Sequence, residues 1–478
     1  MDVTPDPRRW KALAVVGTAF FMTILDVSIV NVALPSIATD LDFSREGLQW
    51  VVTGYAITFG GFLLLGGRAG DLLGRRRVFM TGVVLFTLAS LTCGLAVSAD
   101  MLVASRVVQG IGAAIVSPAA LSIVSTLFAE GPERNKALGI WGALGGSGAA
   151  VGVLAGGVLT EWAGWEWIFF VNVPVGAAVL ALTLPLIPET TARSEHRSYD
   201  PLGALTVTAS MMLLVFAISK APDIGWGAAR TIGLLAGSGA LLVAFLVNEA
   251  RSVEPLMPFS FFRIRQVAAA NLLGFLLGAS VFANFFLLTL YVQQVLGFSA
   301  LKAGLTFLAT AGTAVLAAGL AQALATKVGV KPVAIAGFVL VAAGMAWYTQ
   351  IPPDGSYGPD LLPGYLLVGV GLPFTFIPIS IAALGGVGAM QAGLASGLLN
   401  TVQQIGGALG VATAATISTS HFQTLLASGD PQPVALTGGF EWGFWLLFGF
   451  AVAGALAAAF LLRRTDTAPG EEPVGVTA

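Results

Sequence analysis

KALAVVGTAFFMTILDVSIVNVALPS, residues 11–36, is an apolar run that holds one carboxylate, Asp26, far from either end. A helix needs about 20 apolar residues to cross the hydrocarbon of a bilayer, and this run supplies them. Arg8, Arg9 and Lys11 stand before it as they would in a secretory leader. The run outlasts the ~7–15 apolar residues of a leader and feeds into a second run, so it reads as a retained first helix. Thirteen further runs follow, the last two near 393–420 and 441–462. They are continuous and do not alternate, which argues against the strands of a membrane barrel. The expectation is an all-α polytopic membrane protein with fourteen spans.

Composition agrees. The chain is 56% hydrophobic and 10% charged, against about 25% charged in soluble domains, so lipid must solvate much of it. The 60 glycines suit close packing of membrane helices. With both termini on the cytoplasmic side, 18 of the 23 Lys and Arg residues fall in cytoplasmic segments. Four (Arg45, Lys220, Arg230 and Lys302) fall outside, and Arg106 lies within a span. That asymmetry is the positive-inside rule, and it places the chain as a multi-pass protein of the cell (cytoplasmic) membrane. Trp50, Trp162, Trp165, Trp167, Trp226 and Trp442 fall at external ends, where an aromatic belt belongs.

Several classes are excluded. A net charge of −2 gives no field for nucleic acid. The single Cys93 allows no internal disulfide, and His196 and His421 have no metal-ligand neighbours at useful spacing. The chain has no GxxxxGK[ST] phosphate loop and no catalytic constellation. It reads as no enzyme, with no cofactor besides a proton as coupling ion.

Asp26 is the only acid deep in an apolar run, and intramembrane carboxylates are costly and usually functional. It lies about 22 Å along the helix from Lys11, at about 1.5 Å per residue. Arg106 enters helix 4 from the other face and sits about 7–8 Å below the edge of a ~30 Å core. The two depths match. Burial favours the neutral form of any carboxyl, and a nearby cation favours the charged form. A site whose two conformations balance these differently takes up and releases a proton. A static buried ion pair is the other reading.

Other patterns are weaker one at a time. GRAGDLLGRRR, residues 67–77, reads as a cytoplasmic loop between helices 2 and 3. Gly67, Gly70 and Gly74 allow it to turn, and Asp71 sits among Arg68, Arg75, Arg76 and Arg77. On helix 5, Gly148, Gly152 and Gly156 recur every fourth residue, with Gly157 beside them. Ser396, Asn400, Gln403 and Gln404 share a face of helix 13, and Asn284 lies in helix 9 near Phe282, Phe285 and Phe286. Asn31, Tyr55 and Gln109 complete the candidates for substrate contact. Amides and aromatics inside a bundle suit a small amphipathic substrate, though interhelical hydrogen bonds explain each one alone.

Taken in order, LDVSIVNVALPSI (25–37), GRAGDLLGRRR (67–77), RVVQGIGAA (106–114), the helix 5 glycines, WEWIFFVNVPVG (165–176) and GLASGLLNTVQQIGGALGVA (393–412) resemble the major facilitator superfamily. The resemblance is to its fourteen-spanner drug:proton antiporters and covers nearly the whole chain. It implies two six-helix bundles with helices 7 and 8 inserted at the periphery, and a substrate site near the midplane. The bounds are 1–190 for the first bundle, 191–260 for a linker and the inserted pair, 261–464 for the second bundle and 465–478 for a disordered tail. It makes Gly67, Asp71, Gly74, Arg75 and Arg76 a latch at the cytoplasmic seam; a topology anchor is the plainer reading. It sets helices 1 and 4 side by side, so that Asp26 and Arg106 couple protons to transport. Two departures stand out: Val153 where the antiporters have Pro, and Glu166 where the family has Arg. Extra acids of dication exporters in helices 2, 10 or 13 are missing.

The expected function is proton-coupled efflux of small amphipathic drugs or antibiotics by a monomer, with substrate, proton and bilayer as partners. An exporter of one metabolite, an importer, and a membrane sensor that transports nothing remain as alternatives.

Overall fold

The computed structural model describes residues 8–128, 132–189, 200–252, 255, 259–385 and 392–462. Most of the linker expected over 189–200, and the tail over 465–478, lie outside these residues. The first six long helices are α1 (Arg9–Asp40), α2 (Trp50–Leu73), α3 (Arg75–Gly94), α4 (Ala99–Leu127), α5 (Pro132–Trp162) and α6 (Asn172–Leu186). An inserted pair follows, α7 (Pro201–Ile224) and α8 (Ala229–Arg251). Then come α9 (Arg265–Gln294), α10 (Leu308–Val328), α11 (Val330–Tyr348), α12 (Leu362–Leu384), α13 (Ala392–Ala427) and α14 (Gln432–Leu461). Short helices lead into several of them, Ala300–Thr306 before α10 among them.

Eleven helices among the described residues are long and apolar enough to cross a membrane, and Trp50–Leu63 of α2 and Val151–Trp162 of α5 are shorter apolar stretches. Two expected loops are helical. Residues 67–73 complete α2 and 75–77 begin α3, leaving Gly74 (φ 102°) as the whole turn. The loop expected over 420–440 shrinks to 428–431 between α13 and α14. Polar helix ends outside the hydrocarbon are invisible to a reading based on apolar runs.

The halves repeat. In the first, α1 packs on α5, α2 on α4, and α3 on α4 and α6; in the second, α9 packs on α13, α10 on α12, and α11 on α12 and α14. Gly74 turns α2 into α3, and Gly329 (φ 88°) turns α10 into α11. At the start of each half an arginine donates to the end of the sixth helix: Arg8 to the Pro185 carbonyl, Arg265 to those of Phe460 and Leu461. Cationic donors there complement the helix dipole.

Each half has its own apolar core on the face that carries the chain ends. One gathers Val16, Phe79, Ile123 and Phe128; the other gathers Leu273, Phe338, Ile379 and Ala458. Toward the opposite face a single core joins both halves, with Ile29, Val51 and Trp165 packed among Phe286, Tyr291 and Ala303. Gln293 Nε2 donates to the Val32 carbonyl at 2.8 Å there, and the Leu301 amide donates to Glu161 Oε2 at 3.0 Å. Hence the halves are sealed on the face opposite the termini. Trp165 belongs to this seal: it is buried, with Nε1 on Asp40 Oδ2 at 2.9 Å, and is not a belt residue.

α8 is peripheral as expected, but α7 is not. It packs on both α2 and α13, across the junction of the halves.

Candidate functional site

Four helices converge on Asp26. Its Oδ2 accepts from Arg106 Nη1 at 2.5 Å, and its Oδ1 accepts from Gln109 Nε2 at 2.8 Å and Asn172 Nδ2 at 3.2 Å. Arg106 and Gln109, three residues apart, share a face of α4. A second bond from Arg106 Nη1 reaches Gln109 Oε1 at 2.7 Å. Arg106 Nε donates to the Val51 carbonyl at 2.9 Å, in the first turn of α2. The guanidinium lies over the Tyr55 ring, 4.3 Å from its centre. Asn172, at the start of α6, also donates to Ser90 Oγ at 3.0 Å, and Ser90 donates to the Phe169 carbonyl. Cys93 Sγ is 3.5 Å from Gln109 Oε1.

The pair is shut away: Asp26 is 0% exposed and Arg106 1%. Breaking a buried ion pair by removing one partner typically costs about 3–5 kcal/mol, because the other charge is stranded. In each of these hydrogen bonds the Asp26 carboxylate accepts, and a proton on it would set an O–H donor among N–H donors.

The helix 5 glycines set α5 flat against α1 beside this site. A Cβ on Gly148 would meet Ile24, one on Gly152 would lie 2.0 Å from Ser28 Oγ, and one on Gly156 would lie 2.6 Å from the Ile29 carbonyl. Gly157 faces the other half, against Leu301. α5 is continuous from Pro132 to Trp162, in keeping with Val153 in place of a kinking Pro.

The remaining candidates are scattered. Gln109 and Tyr55, read as substrate contacts, belong to the charge network. Asn31, Asn284, Gln403 and Gln404 are at least partly buried, and each holds one side-chain polar atom without a hydrogen-bond partner. Phe285 lies against Phe307, the rings tilted by 32° with centres 5.2 Å apart. Asn400 departs from the set: it is exposed and donates to the Ser396 carbonyl in its own helix. At the seam, the Asp71 and Arg68 side chains lie outside the described residues. Arg76 donates to the Ile187 carbonyl at 3.2 Å, and Arg76 and Arg77 lie 3.6 and 3.7 Å from Glu189, all within the first half. Gly67 backs onto Pro118 of α4.

Sequence reasoning missed Asn172, Ser90, Glu189 and the Val51 carbonyl. Asn172 had a signal, since it is the lone amide in WEWIFFVNVPVG; the others had none.

Residues 16–411 match the family model of the Major Facilitator Superfamily. The chain is 38% identical over 481 residues to the puromycin resistance protein pur8 of Streptomyces alboniger, covering 99% of this chain and 95% of that protein. It is 40% identical over 428 residues to the cephamycin export protein CmcT of Amycolatopsis lactamdurans, covering 89% and 87%. The multidrug resistance protein Stp of Mycobacterium tuberculosis is 34% identical over 405 residues, covering 85% of this chain and 75% of that one. Among solved structures, the nucleoside transporter NupG (D323A mutant) superimposes with a TM-score of 0.67 at 13% identity, covering 95% of this chain and 100% of that one. A D-xylose–proton symporter gives 0.65 at 15%, covering 95% and 98%. At these identities the structures speak for the fold alone.

Proposed function

The chain belongs to the major facilitator superfamily, and we propose that it exports small amphipathic drugs or antibiotics in exchange for protons by alternating access. The export half of this reading draws on relatives named for puromycin, cephamycin and multidrug resistance or export. The proton half rests on one observation, the sealed network of Asp26, Arg106, Gln109 and Asn172.

That network gives a mechanism. Protonation of Asp26 leaves Arg106 without a counter-charge and turns one N–H···O contact into a clash of donors. Proton uptake therefore requires the helices that supply those donors, α4 and α6, to shift against α1. Such a shift lies beside the seal formed by Val51, Ile29 and Trp165, so it bears on whether the sealed face stays shut. Substrate would meet the unpartnered amides of Asn284, Gln403 and Gln404 on α9 and α13. A buried polar atom left unpaired costs about 1–3 kcal/mol, and a ligand that pairs it recovers part of that. The two bundles over 1–190 and 261–464 would rock about this site, with both termini in the cytoplasm, in a monomer that holds no cofactor.

The test is proton release on adding drug to purified protein in weakly buffered detergent. Wild type is expected to release protons, and Asp26→Asn none while still binding drug. Equal release by both would remove Asp26 from the coupling role. A panel of unrelated compounds separates a multidrug pump from an exporter of one metabolite or antibiotic.

A further inference from the structure

The inserted pair carries its own internal fastening. Ser210 Oγ donates to the Ser238 carbonyl and Ser238 Oγ to the Ser210 carbonyl, both at 2.9 Å. Asn248 Nδ2 donates to both oxygens of Asp200, the residue whose side chain caps α7 through the Gly203 amide. α8 therefore moves with α7. The open question in a two-bundle rocking cycle is which bundle α7 follows, since it packs on α2 of one and α13 of the other.

The two contacts differ in kind. Toward α2, Gln49 Nε2 donates to Ser219 Oγ at 2.5 Å, with both residues buried. Three turns farther along, Thr208 fills the notch left by Gly61, where a Cβ would lie 2.0 Å from Thr208 Oγ1. A buried hydrogen bond and an interlocked glycine, at separate heights, fix both register and distance. Toward α13 the contact is apolar: Val215, Met211 and Met212 share a small cluster with Ala408, Leu409 and Ala412 of α13, and Ala56 and Ile57 of α2 join the same cluster. The buried hydrogen bond and the interlocked glycine described for α7 both face α2. An apolar face of small residues can slide; breaking a buried hydrogen bond strands its partner.

The fastened point is also where the charge network ends. The Gln49 carbonyl accepts from the Val52 and Thr53 amides at 3.1 and 2.8 Å, and the Val51 carbonyl between them holds Arg106. We infer that the α7–α8 hairpin belongs mechanically to the N-terminal bundle, fastened through Ser219 and Gln49 to the turn of α2 that holds Arg106, while α13 slides past it during transport. Ser219 is then a positioning residue for the buried pair. The inference rests on the alternating-access reading above.

Two cysteine pairs test it in the full chain reconstituted in vesicles, with the buried Cys93 left in place. Ile57→Cys/Met212→Cys ties α7 to α2, and Met211→Cys/Leu409→Cys ties α7 to α13; all four positions belong to the same cluster. With a short reducible thiol cross-linker, the first pair should keep drug transport within about 2-fold, and the second should lose it by about 10-fold until reductant is added. Arrest by the first tie, or free transport through the second, overturns the inference. Absence of drug flux in uncross-linked wild type would instead sink the export reading itself. The positioning role has its own readout. Ser219→Ala should move the pH profile of transport, Ser219→Thr should restore it, and Tyr55 and Cys93 are the other ionisable groups facing the pair. A profile unchanged in Ser219→Ala removes that role.

Discussion

Arg106 does two jobs with one guanidinium: it neutralises Asp26 and ties α4 to the first turn of α2 through the Val51 carbonyl. The two jobs separate by substitution. Arg106→Lys keeps the charge but loses the planar fork, so transport should fall by about 10-fold and recover little with pH. Arg106→Ala strands a fully buried carboxylate, which should cost about 3–5 kcal/mol of stability at neutral pH and abolish transport. Asp26→Asn/Arg106→Ala should lose less stability than the two single changes combined, because the residues are in contact; thermal unfolding of the four proteins in detergent reads this directly. Simply additive losses would mean that the pair is not coupled. The pair was legible in the sequence because a charge in an apolar run announces its own cost. Asn172 was marked only as the lone amide of its motif, and Ser90 not at all, because a single amide or hydroxyl in a helix has many ordinary uses. The Val51 carbonyl could never be, since backbone groups carry no sequence signal.

α5 shows what a helix gains from four small positions. Gly148, Gly152 and Gly156 let it lie against α1 along the stretch that holds Asp26, so the spacing read from sequence corresponds to one real contact. What the spacing did not reveal is that Gly157, one residue on, faces the opposite half at Leu301. Adjacent glycines on one helix thus serve two partners, and α2 repeats this with Gly60 toward α13 and Gly61 toward α7. Gly156→Val should drive its side chain into the Ile29 carbonyl and cost about 1–3 kcal/mol, the usual range for overpacking. It should also lower transport, by lifting α5 from the charge site. Gly449→Val is the control, since nothing lies within 4 Å of a Cβ there. Equal melting temperatures for the two variants would show that the α1–α5 contact is loose. Helix ends were the least legible elements, because a polar last turn such as 67–73 looks like a loop until packing is seen.

Across the whole molecule, the seal on one face is the feature that any next state has to open. The halves share a core on the face opposite the termini, where Gln293 bonds to Val32 and Glu161 to Leu301 across the junction. In the orientation proposed from the positive-inside rule, the other face is the cytoplasmic one. In that proposed orientation this form is closed to the exterior, and Asp26, nearer the closed face, would meet external protons only after it opens. Glu161 is the exposed part of the closure, receiving the Leu301 amide from across the junction. Orientation comes first: an impermeant thiol reagent on intact cells should label Val97→Cys, Gly227→Cys and Ser428→Cys, all exposed on the sealed face, and spare Leu73→Cys and Val328→Cys on the other. The reverse pattern would turn the protein over and make the sealed face cytoplasmic. With orientation established, Glu161→Ala should loosen the closure without touching the buried pair. In a Phe285→Cys background, external reagent should then label that cysteine about 10-fold faster, a shift of about 1.4 kcal/mol toward the outward-open form. Labelling unchanged by Glu161→Ala would leave the closure to the apolar core alone, with the Glu161 bond a passenger on it.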